Sequence, residues 1–140
     1  MSDLHIDDFY RDAAKILAAL YGHFPRKTMV HVEDISGPDT PDEFGLHSPR
    51  HDACFQTMLW LAHTDYLLFE QTVRQEAIDQ VVLTHRGFLL LNAPINQSEQ
   101  TLAIHRIREE LKKGTSTTLA DLMRFLLAES RRFGEGLRIH

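Results

Sequence analysis

The chain has 140 residues, 43% of them hydrophobic and 25% charged, with a formal net charge of −5. That length and apolar share suit one domain that buries a continuous core without disulfides or metal, and Cys54, the single cysteine, has no internal partner. No run approaches the ~18–20 apolar residues of a membrane span, and the acidic balance excludes a protein that gathers phosphate by long-range attraction.

Met1 to Asp8 reads as a cap and first helical turn rather than a leader, which predicts a cytoplasmic protein. From Ile6 to Phe24 the apolar residues Ile6, Phe9, Tyr10, Ala13, Ile16, Leu17, Leu20 and Phe24 recur at helical spacing, and Gly22 and Pro25 stop the helix. Thr28 to Ile35 alternates Thr28, Val30 and Val32 with polar groups as a short strand does, although Val32-Glu33-Asp34-Ile35 equally suits the start of a helical turn. Ser36 to Pro49 holds three prolines and two glycines, which is the chemistry of a long loop.

Pro49 suits a first helical position, and a helix is expected from there to His63, burying Ala53, Phe55, Met58, Leu59 and Ala62. Tyr66 to Phe69 and Ile78 to Leu83 are strand-like, and the polar span Glu70 to Ala77 joins them into a hairpin. Thr84 can cap a short helix from Arg86 to Asn92, ended by Pro94. Asn96 and Glu99 have capping-box spacing ahead of the Ile104, Ile107 and Leu111 stripe, and Gly114 stands where a C-terminal cap belongs. Ser116 to Phe133 then carries Leu119, Leu122, Met123, Leu126, Leu127 and Phe133 on one face, so the last third reads as a helical hairpin.

Two phrases stand out: His63-Thr64-Asp65-Tyr66-Leu67, and Val82-Leu83-Thr84-His85-Arg86-Gly87-Phe88. With the order helix, short strand or turn, helix, hairpin, short helix, they resemble the winged-helix family, in which a turn leads into a Tyr-Leu strand and the second wing strand ends in Leu-Thr-x-x-Gly. The resemblance covers Ile6 to Ala93. It implies an α+β, mostly helical fold: a winged-helix domain over 1–94 with a two-stranded wing, and an added C-terminal helical hairpin over 95–140. The chain departs from the family in placing Asp65 where glycine is usual, and in carrying a Pro-rich loop where the middle helix of a helix-turn-helix is expected.

The family implies duplex DNA as a partner, bound by a homodimer acting in transcription regulation. On that reading Ser48, Arg50, His51 and Gln56 of the helix from Pro49, Arg74 and Gln75 of the wing, and Arg86 are the contact residues, with Asp52 opposing them. The alternative for the same positions is a solvated helix face and hairpin tip, in a winged-helix module whose partner is protein. Acidic net charge and the missing middle helix favour that second reading, while the habit of the family favours DNA. A third, a small enzyme with a pocket beneath the loop Ser36 to Pro49, has no motif behind it, and no catalytic residue or cofactor is expected.

His47 and His51 stand four residues apart, but Pro49 between them breaks the shared helix that such a ligand pair needs, and no metal is expected. His85 has no nucleophile or carboxylate tied to it by a motif and reads as a surface residue. Cys54 reads as a small core hydrophobe, and Trp60 as partly exposed, either a contact residue or part of a second core layer. Leu119, Leu122, Met123, Leu126 and Leu127 offer a stripe wide enough for a dimer interface, or for folding back over the first helix of the same chain.

Overall fold

Helix α1 (Leu4–His23) buries Ala13, Ile16, Leu17 and Leu20 as its spacing predicts, but Ile6 at its start is exposed, and Asp12 and Ala14 are buried beside the stripe. The computed structural model describes residues 4–96, 100–114 and 116–135. Strand β1 (Thr28–His31) follows and passes directly into α2 (Val32–Ser36), so the helical alternative for Val32 to Ile35 is the one adopted. The loop 37–48 leads to α3 (Pro49–His63), in which Pro49 occupies the first turn and Ser48 is the N-cap.

The predicted hairpin is present, with one strand interrupted: β2 (Leu67–Leu68) and β3 (Gln71–Val73) both pair antiparallel with β4 (Ala77–Leu83). The turn between β3 and β4 carries Arg74 at φ 51 and Gln75 at φ 60. Left-handed backbone at successive turn residues matches the right-handed twist of paired strands. β1 lies along the other edge of β4, giving a small antiparallel sheet in the order β1, β4, β2.

Helix α4 (His85–Leu91) begins where Thr84 accepts a hydrogen bond from the Gly87 amide at 3.0 Å. Gly87 is needed there, since a Cβ would stand 2.2 Å from the Tyr66 carbonyl oxygen. Asp65 adopts φ 68, in the left-handed region that favours glycine. The Thr84 hydroxyl donates to the Asp65 carbonyl at 2.6 Å, tying the two phrases together.

After α4 the chain forms a small ribbon of β5 (Pro94–Asn96) and β6 (Thr101–Leu102) before α5 (Ala103–Lys113). The helix expected from a box at Asn96 therefore starts later, and Glu99 of that box lies outside the described residues. Pro94 and Ile95 favour extended backbone, and Ala93 receives the Ala103 amide at 2.8 Å, which closes the ribbon. Gly114 caps α5 at φ 73, as its position predicted. Helix α6 (Ser116–Glu135) packs chiefly on α1 and α4, and one continuous core joins residues from α1 through α6. No described helix is long and apolar enough to cross a membrane.

Candidate functional site

Loop 37–48 folds back over the first turn of α3 because two aspartates organise it. Asp42 accepts the Phe44 and Leu46 amides at 2.9 Å each and leaves both side chains exposed at the tip, Phe44 at 79%. Asp39 turns the other way and accepts the Ser48 amide at 3.2 Å and His47 Nδ1 at 2.9 Å. The Ser48 side chain and then His47 hold the Asp39 carboxyl down at about 2, so it is ionised at any ordinary pH.

His47 and His51 come together despite Pro49. His47 precedes the N-cap, outside the helix, and its ring stacks on that of His51 with centroids 3.8 Å apart and planes 7° apart. Pro49 keeps the two residues off a common helix, yet it does not keep their rings apart. His51 is 2% exposed, and its Nε2 lies 3.1 Å from the Gln75 carbonyl oxygen at the β3–β4 turn. Its Nδ1 is buried without a hydrogen-bond partner, 3.8 Å from Asp39 Oδ2. Glu76 Oε1 stands 3.7 Å from His47 Nε2. One potential ligand atom from each of Asp39, His47 and His51 falls within 4.8 Å of the others.

The residues expected to meet DNA are distributed otherwise. His51 was expected on a solvent face and is instead core. Arg50 makes a two-pronged contact with Asp12, Nη1 to Oδ2 at 2.7 Å and Nη2 to Oδ1 at 2.5 Å, and its Nε lies 3.6 Å from Asp8. Asp12 is 1% exposed, and this pairing holds the Arg50 guanidinium above its ordinary pKa. Ser48 is occupied as the cap of α3, accepting the His51 amide at 3.2 Å. Arg86 lies over the Tyr66 ring, 4.7 Å from its centroid, and donates to Tyr66 Oη at 3.1 Å and Ser130 Oγ at 3.2 Å. Gln56, Arg74 and Gln75 are exposed.

On α3 the inward face is phased differently from the expected one: Cys54, Phe55, Thr57, Met58 and Leu61 are buried while Ala53 is exposed. Thr57 can enter the core because its hydroxyl donates to the Ala53 carbonyl at 2.9 Å. Cys54 is core, as predicted, and its burial pushes the thiol up to about 12. His85 is exposed at the start of α4. Trp60 is 39% exposed and meets Phe9 edge to face at 5.0 Å. The two rings belong to a groove of about 340 Å³ between α1 and α3, which Ile6, Asp12, Ala53 and Thr57 also line.

The stripe on α6 is used within the chain. Leu119, Met123 and Leu126 are buried in the core, and Leu122 and Leu127 are half-buried against it, while Phe125 on the same helix is exposed. No protein-family model matches the chain, and no curated protein or solved structure is significantly similar to it.

Proposed function

We propose that the chain is a winged-helix-type module that works by contact with protein. The element order, the sheet order β1, β4, β2, the tie of Thr84 to Asp65 and the close approach of Gly87 to the Tyr66 carbonyl support the winged-helix reading. The observation that carries the choice of partner is the start of α3, the segment a winged domain offers to a DNA groove. There Arg50 is neutralised by Asp12 and Asp8, His51 is buried, and Asp52 is exposed beside them. An acidic surface of this kind repels phosphate.

The groove between α1 and α3 is the contact site on this reading. Ile6, Phe9 and Trp60 offer apolar area, and Asp7, Asp8 and Asp52 stand on the same two helices. That chemistry fits an amphipathic helix with apolar anchors flanked by lysine or arginine. Trp60 is the single tryptophan and lines the groove, so all tryptophan emission comes from a groove residue. Titration with synthetic amphipathic helical peptides bearing basic polar faces should give a saturable change in that emission, and acidic counterparts should give none. Duplex DNA, followed by anisotropy between about 50 and 200 mM salt, should show no steeply salt-dependent binding. DNA affinity that falls by orders of magnitude over that range, with no response to the basic peptides, overturns the reading.

A further inference from the structure

We propose that Asp39, His47 and His51 form a site for a divalent transition-metal ion of the zinc type, clamping loop 37–48 onto α3. The inference is independent of the partner proposed above.

The decisive group is His51. A carbonyl oxygen only accepts hydrogen bonds, so the contact between His51 Nε2 and the Gln75 carbonyl places the proton of a neutral ring on Nε2. Nδ1 is then a bare lone pair. It is buried, has no hydrogen-bond partner, and faces the Asp39 carboxylate across 3.8 Å. Two electron-rich atoms confined together in a water-poor place repel one another, and a cation between them turns the repulsion into coordination. Metal-bound histidines commonly donate their second ring N–H to a backbone carbonyl, which is the role the Gln75 carbonyl fills here.

The rest of the cluster fits the same chemistry. His47 Nδ1 donates to Asp39 Oδ2 at 2.9 Å, so that nitrogen carries a proton here and releases it when an ion takes the proton's place against the same oxygen. Glu76 lies beyond its far nitrogen at 3.7 Å, where a carboxylate steadies a ligating ring directly or through a water. Two imidazoles and one carboxylate make a nitrogen-rich set that suits zinc and its neighbours over calcium or magnesium. Three protein ligands leave a fourth position for water or an incoming group. The stacked rings must part for both lone pairs to converge on one ion. His51 is pinned by Gln75, so the movement falls to His47, outside the helix.

The test uses the full chain, stripped of metal with a chelator and titrated with zinc against a chromophoric competitor, and separately loaded with cobalt. One equivalent should bind, and cobalt should show the visible bands of a four-coordinate site. His47→Ala and Asp39→Asn, both in the loop and outside the core, should each weaken zinc at least about tenfold while far-ultraviolet circular dichroism stays unchanged. His51→Ala should do the same, and if it fails to fold the two loop variants decide alone. With nine histidines in the chain, surface binding is the rival outcome. Zinc binding that survives both loop variants means an adventitious ion only, and absence of any one-equivalent binding equally overturns the proposal.

Discussion

At Cys54 a single buried atom sets an expectation for alkaline stability. Burial among apolar groups, with the Asp12 carboxylate adding to it, raises the thiol from 9.0 to about 12. Between those values the unfolded chain has lost its thiol proton and the folded chain keeps it, so the contribution is present in full below about 9 and drains away as pH climbs toward 12. Wild-type stability measured against Cys54→Ala by urea unfolding should therefore decline through that window, approaching tenfold in the unfolding equilibrium per pH unit; a constant difference would show that the thiol ionises as freely folded as unfolded. Gly87 supplies the sterner residue. The atom that its missing Cβ would strike is backbone, the Tyr66 carbonyl oxygen, which also receives the Thr84 amide at 3.1 Å and has little room to retreat. Gly87→Ala should cost about 2–3 kcal/mol in the same urea experiment, and a loss below about 0.5 kcal/mol would mean that α4 shifts freely on the hairpin.

Among the elements, α6 is where apolar pattern and outcome are most instructive. A broad stripe suits a second copy or the same chain equally well, and here the same chain buries Leu119, Met123 and Leu126 of it. Leu126→Ala should cost about 2–5 kcal/mol of folding stability, whereas Phe125→Ala on the exposed side should stay within about 0.5 kcal/mol. Light scattering should give one mass for wild type and both variants; a halving of mass in Leu126→Ala with stability intact would assign the stripe to an interface. α1, α3, α4 and the hairpin were legible because their signals are local: helical spacing, Pro49 at an N-terminus, Thr84 before Gly87. The β5–β6 ribbon was not, because a strand of two or three residues leaves no periodicity to read. The inward face of α3 was misphased for a related reason. His51 and Thr57 are polar, and what admits them to the core is a pair of carbonyls that pattern does not reveal.

For the whole molecule, what pattern misses is whatever several segments assemble together. Asp39, His47, His51, Glu76 and the Gln75 carbonyl come from the loop, the helix and the hairpin turn, and no spacing rule spans them. Arg50 looked free because its partner Asp12 lies on another helix. The spacing of His47 and His51 is visible in the sequence, but not that one precedes the helix while the other lies within it. The same dependence on remote partners governs α1, whose most extensive neighbour is α6, the last helix described. A ribosome extends a chain at about 5–20 residues per second, so α1 emerges seconds before the helix that shields it exists. During that interval its oily side is open to other nascent chains and to holding chaperones. Any translation product that stops at Gly114 keeps α3, α4, α5 and β4 packed on α1 but lacks the cover that α6 supplies, and that uncovered strip is where it would stick.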